Sequence, residues 1–195
     1  MKQRIPKMAS IPSAEAVAAE RERLRYQKRF RHTMMTIVYI LIVAAAVSIL
    51  AATTLLPVLQ VSGTSMEPTL EDGDVIVLLK SGNYRTGDLC AFYYQNKLLL
   101  KRVIGVPGDV IDMDTDGNVS VNGEALDEPY VTNLSLGECD LTFPYQVPEN
   151  RYFVMGDNRS TSIDSRSSVI GCIEKDQIVG KAVLCVWPTG RWGIF

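Results

Sequence analysis

The sequence predicts a mainly β fold, in which a single N-terminal transmembrane helix is followed by an antiparallel β-sheet, barrel-like domain. Three observations carry this reading. An apolar run from Thr33 to about Val61 holds no charged residue, and the next one is Glu67. Beyond Gly63 the chain breaks into short apolar, β-branched stretches separated by Gly, Asn, Asp and Pro, the pattern of a strand-and-turn domain. Charge divides across the apolar run: residues 1–32 hold nine Lys/Arg and three Asp/Glu, and the remainder eleven and nineteen.

Residues 1–12, with Pro6 and Pro12, read as a loosely attached segment. Ser13 is a suitable N-cap for the helix formers of AEAVAAERERLRYQKRF. That stretch predicts a basic helix whose Arg and Lys grip anionic lipid head groups. The apolar run behind it exceeds the ~20 residues a helix needs to cross a bilayer. A cleavable signal peptide is the alternative, but its apolar region spans only about 7–15 residues and ends at a small-residue site. Basic residues concentrate on the cytoplasmic side of a span. The expected organisation is therefore a basic cytoplasmic tail at 1–32, a transmembrane anchor at 33–60 and an extracytoplasmic β-rich domain at 61–195.

Strands are expected at Asp74–Leu79, Leu89–Tyr94 and Leu98–Val106, with turns at Ser81-Gly82-Asn83 and Gln95-Asn96. Pro107-Gly108 suits the centre of a type II turn. Asp116-Gly117 between Val110-Ile111 and Val119–Val121 signals a hairpin, and Asn122-Gly123 another turn. Residues 124–150 are polar and hold three prolines, so about 112–150 read as a hairpin and loop excursion. Tyr152–Met155 and Lys181–Trp187 supply later strands.

Composition narrows the chemistry. Four cysteines (Cys90, Cys139, Cys172, Cys185) without C-x-x-C spacing and a single histidine, His32, argue against a zinc site. The cysteines read as buried or surface thiols. There is no Gly-rich phosphate loop and no aromatic–basic pattern for nucleic acid. No cofactor or metal is expected.

Ser65, in VSGTSMEPTL, lies across the apolar run from His32. A serine nucleophile there requires a base other than histidine. Lys101, 36 residues on, follows Leu98-Leu99-Leu100. Alternation puts it on the side of Leu99 and Val103, with Arg102 opposite. Burial disfavours the ammonium and lowers its pKa, and a neutral amine can accept a serine proton. The competing reading is an edge-strand lysine facing water. A third segment, GDNRSTSIDSR at 156–166, follows an apolar strand. It reads either as a solvated loop held by Asp–Arg pairs or as a shell of hydroxyls and ion pairs that stiffens a site.

Together SGTSMEPTL, KRVIGVPGD, GDNRSTSIDSR and RTGDLCAFYY resemble the motifs of the type I signal peptidases, membrane-anchored Ser/Lys proteases, over roughly residues 33–195. The short length is similar to that of the Gram-positive-type enzymes. The resemblance implies Ser65 as nucleophile and Lys101 as general base in a serine protease domain. It implies Ser162 as the hydroxyl that orients the lysine amine, with Asp164, Arg166 and Asp157 as structural supports. Val61, Met66, Leu70, Leu99 and Leu100 match pocket-lining positions. The Ser65 backbone N–H matches one oxyanion donor. A second donor, a serine in some members, falls here on Gly63, leaving a backbone N–H or the Thr64 hydroxyl for that role. The implied substrates are secretory preproteins, cut after small residues at A-x-A-like sites on the outer face of the membrane.

Overall fold

The computed structural model describes residues 13–195, so the expectation for residues 1–12 lies outside the described residues. The chain divides into two units at Ala51/Ala52. In the first, the basic stretch and the apolar run are not two helices but one, α1, over Ala14–Leu55. The Ala16 N–H donates to Ser13 Oγ at 3.3 Å, as an N-cap requires. Forty-two residues at 1.5 Å each reach about 60 Å, twice the ~30 Å of a bilayer core. Among the described residues this is the one helix long and apolar enough to cross a membrane. It stops at Leu55, short of the end of the apolar run. Pro57 offers no N–H and disfavours helical geometry in the residue before it.

The second unit is antiparallel throughout. One sheet contains β1 (Val58–Gln60), β2 (Val75–Leu79), β3 (Leu89–Tyr94), β4 (Lys97–Gly105), β9 (Arg151–Met155), β10 (Ile173–Glu174), β11 (Ile178–Trp187) and β12 (Gly193–Ile194). Its order is β1-β2-β11-β3-β4-β9-β10, with β12 also paired to β11. The second sheet, β7-β6-β5-β8, uses β5 (Val110–Met113), β6 (Val119–Val121), β7 (Glu124–Ala125) and β8 (Tyr145–Gln146). Residues 126–144 between β7 and β8 contain neither helix nor strand.

Turn chemistry accounts for the hairpins. Gln95 and Asn96 both take positive φ (43° and 64°) between β3 and β4, the conformation a two-residue type I′ turn needs. Asn122 (55°) and Gly123 (83°) do the same between β6 and β7.

One arrangement matters most for the site. Strand β4 lies between β3 and β9, with Lys101 opposite Cys90 and Arg102 opposite Met155. It is not an edge, and from Leu100 to Gly105 it is buried on both faces. Two consecutive cations on such a strand both require partners.

Candidate active site

Ser65 sits in a loop between β1 and β2 whose ends are tied together. The Val61 N–H donates to the Asp74 carbonyl at 2.7 Å and the Gly73 N–H to the Val61 carbonyl at 3.0 Å. Farther in, the Asn158 N–H donates to the Ser65 carbonyl at 3.1 Å. The Ser65 N–H itself has no acceptor among the described residues. Gly63, at φ +90°, is different: its N–H is engaged by Asp72 Oδ1 at 2.8 Å. Thr64 is exposed beside it.

Lys101 Nζ lies 2.7 Å from Ser65 Oγ. The lysine is only 4% exposed. Burial lowers its pKa to about 8, and the Arg166 charge acts in the same direction, against the opposing pull of Asp164 and Asp157. The amine is therefore largely available as a base at mildly alkaline pH.

The polar loop 156–166 packs behind this pair. Asp164 is fully buried; its Oδ2 accepts from the Ser162 hydroxyl at 2.6 Å, the Gly156 N–H at 2.9 Å and Arg166 Nη2 at 2.9 Å. Its Oδ1 accepts from Arg166 Nε at 2.8 Å. Burial alone would raise the Asp164 pKa, but the Arg166 hydrogen bonds and charge outweigh it and hold the carboxyl below its usual range. Arg166 spends its remaining donors on the carbonyls of Ser135, Leu136 and Arg159. Asp157 pairs twice with Arg102, at 2.8 and 2.6 Å, and accepts from the Thr69 hydroxyl at 2.5 Å.

Ser162, expected to bond the Lys101 amine, donates its hydroxyl to Asp164 and keeps its oxygen lone pairs as acceptors. The buried carboxylate is the stronger acceptor for a hydroxyl. The expected pocket residues also separate. Val61, Met66, Leu70 and Leu100 fill one buried apolar cluster, whereas Leu99 packs with Cys90, Phe92 and Val103 in another. Adjacent strand residues point to opposite faces, so Leu99 and Leu100 cannot share a wall.

Several participants escaped the sequence reading. Arg102 also stacks 3.8 Å over the Tyr130 ring, Tyr130 donates to Glu128 at 2.9 Å, and the buried Arg159 pairs with Glu128 at 2.5 Å. Arg102 was open to discovery, because a second cation inside an apolar strand demands a carboxylate. Glu128 and Tyr130, in the turn-rich excursion, gave no such signal. All four cysteines are free thiols, and Cys90 is pushed up to about 12 by burial and the nearby Asp88. Among the described residues no group of three or more His, Cys, Asp or Glu could hold a metal ion.

Fold and site together define a class: a mainly antiparallel β domain, preceded by an apolar helix, that holds a serine hydroxyl against a buried lysine. Comparison with known proteins makes this specific. The model of the family described as signal peptidase, peptidase S26, matches residues 32–187. A signal peptidase I from Bacillus licheniformis is 36% identical over 161 residues, which span 76% of this chain and 86% of that protein. A signal peptidase IB from Staphylococcus aureus is 38% identical over 148 residues, 66% of this chain and 76% of that protein. A solved signal peptidase I from Enterococcus faecalis is 29% identical, with a TM-score of 0.42, over 51% of this chain and 96% of that one. The chain belongs to the signal peptidase family, peptidase S26.

Proposed function

We propose that this protein removes N-terminal signal peptides from secreted preproteins with a Ser65–Lys101 dyad, cutting after small residues at A-x-A-like sites. The observation that carries the proposal is the 2.7 Å contact between Ser65 Oγ and the amine of the buried Lys101. With the amine neutral, its lone pair accepts the Ser65 proton as Oγ attacks the carbonyl carbon. The Ser65 N–H, without an acceptor among the described residues, is available to the oxyanion; one such donor is worth ~10²–10³ in rate. Lys101 then delivers its proton to the leaving amine, which departs with the mature protein. Water, deprotonated by the same amine, hydrolyses the acyl-enzyme and releases the signal peptide. Asp164, Arg166, Ser162 and Asp157 hold the loop behind the dyad. The engagement of the Gly63 N–H by Asp72 favours the Thr64 hydroxyl for the second oxyanion role. The residues proposed to line the apolar side of the substrate cleft, suited to small residues, are Val61, Met66, Leu70 and Leu100 from one cluster and Leu99, on the Lys101 face of β4, from the other.

In this reading residues 33–60 anchor the protein, residues 1–32 face the cytoplasm and anionic lipid, and the domain at 61–195 works outside. Ser65 lies ten residues past the end of the helix at Leu55, within about 35 Å even if that linker is fully extended. Signal peptides place their own apolar segment in the bilayer, so enzyme and cleavage site share a thin layer, which raises their effective concentration. The test is cleavage of a model preprotein in detergent by wild type and by Ser65→Ala, Lys101→Ala and His32→Ala. The first two variants are expected to be inactive and the third to retain activity. Cleavage surviving Ser65→Ala, or lost with His32→Ala, would overturn the dyad.

A further inference from the structure

Behind the nucleophile's loop sits a cation with no place in this chemistry. Arg191 belongs to a short 3-10 turn, Thr189–Arg191, between β11 and β12. It lies beyond residue 187, where the match to the family model ends. Its guanidinium reaches back more than a hundred residues in sequence. Nη2 donates to the carbonyls of Pro68 at 3.2 Å and Thr69 at 3.3 Å. The same group lies 3.6 Å from the buried Asp74 carboxylate, and Nη1 forms an ion pair with Glu71.

These four partners all lie in the return half of the loop that carries Ser65. That loop is tied at its neck by Val61, Gly73 and Asp74, and at Ser65 by Asn158. Among the described residues, the polar side-chain links from residues 67–72 to elements beyond the loop are those of Thr69 to Asp157 and Arg102 and those to Arg191, while Leu70 is buried in the apolar core with Ile76, Leu78 and Leu100. Asp74 links the two systems, because its carboxylate also accepts the Glu71 N–H at 2.9 Å. The Arg191 turn is itself fastened: β12 pairs with β11 at Leu184–Ile194, and Trp192 Nε1 donates to the Val186 carbonyl at 2.6 Å.

We infer that Arg191 is a positioning residue, a C-terminal strut that braces residues 68–74 and thereby sets Ser65 against Lys101. A planar fork with five donors can hold two carbonyls and two carboxylates at once. Lysine, a point charge with three donors, would keep the ion pairs and lose the carbonyl contacts. The inference rests on Ser65 being the nucleophile, since displacement of a reacting atom by about 1 Å can cost on the order of 10² in rate.

The experiment compares wild type, Arg191→Ala, Arg191→Lys and Ser65→Ala as full chains in detergent, well below the unfolding temperature of each. It measures preprotein cleavage across pH and amide hydrogen exchange over residues 66–74. Arg191→Ala is expected to lower kcat about tenfold or more, with KM changed far less, and to speed exchange in 66–74 while the core of β4 stays protected. The midpoint of the pH–rate curve should not move, because Arg191 is not among the groups that shift Lys101. Arg191→Lys should recover part of kcat. Unchanged kcat and unchanged exchange in Arg191→Ala would overturn the strut. So would a loss of activity matched by loosening of the whole domain. Activity retained by Ser65→Ala would defeat the dyad instead, and the exchange data would still judge the strut.

Discussion

The Asn158 N–H donates to the Ser65 carbonyl at 3.1 Å, joining the serine loop to the polar loop by the backbone of Ser65 itself. Gly156 makes this approach feasible. A Cβ at that position would stand 2.5 Å from the Ser65 carbonyl oxygen and 2.3 Å from Ser162 Oγ. Neither neighbour is the free end of a flexible chain. Gly156→Ala is therefore expected to displace Ser65 and reduce kcat/KM on the order of 10²-fold, with a folded protein by circular dichroism. Wild-type kinetics in that variant would show that the two loops tolerate separation.

Activity should rise with pH. The Lys101 pKa is lowered to about 8, so its neutral fraction grows from pH 6 to 9 and kcat/KM should follow it. A rate falling steadily over that range, in a protein still folded, would count against Lys101 as the base. Asp164 raises the Lys101 pKa and its charge is lost in Asp164→Asn. Any residual activity of that variant should have its midpoint at lower pH.

The same shift has a cost in stability. The lysine binds its proton less tightly folded, at about 8, than unfolded, near its ordinary 10.5. Below pH 8 the folded protein bears the whole penalty of a buried ammonium. As pH climbs from about 8 to 10.5 the unfolded state holds more protons and the penalty is relieved. Lys101→Met removes it at all pH values. Thermal melts at pH 7 should show Lys101→Met more stable, by an amount on the order of 1–3 kcal/mol, and the gap should close by pH 10. A gap that widens with pH would contradict the sign.

Breaking the Asp164–Arg166 pair should be the most damaging single change in the supporting loop. Both side chains are fully inaccessible, and removing one partner of a buried pair costs about 3–5 kcal/mol. Ser162→Ala removes one donor from a carboxylate that keeps Gly156 and Arg166, so its cost should be well below that of Asp164→Ala. Denaturant midpoints for the two variants check the ranking.

Strands with strong local signals were legible directly. Leu89–Tyr94 falls where apolar and aromatic residues are bounded by turns, and the Gln95-Asn96 hairpin follows from turn residues placed between two apolar runs. The weaker strands were not. Val58–Gln60 sits inside an apolar run that reads as helix. Gly193–Ile194 and Ile173–Glu174 are two residues each, too short to show any period. They exist because a neighbouring strand offers a ladder to pair with.

The helix, the order of the main strands and the prominence of Ser65 and Lys101 were determined by the sequence alone. Each rests on interactions between residues close in the chain: periodicity, turn conformation and the run of apolar side chains around Lys101 and Arg102. Which strand would lie at the centre of the sheet was decided only by the tertiary structure. So were the partner Ser162 would choose, the faces Leu99 and Leu100 would occupy, and the reach of Arg191 to Pro68 and Thr69. Those depend on pairing register and on competition among distant polar groups for a buried carboxylate or carbonyl. Such competition is settled by which atoms meet once water has been excluded.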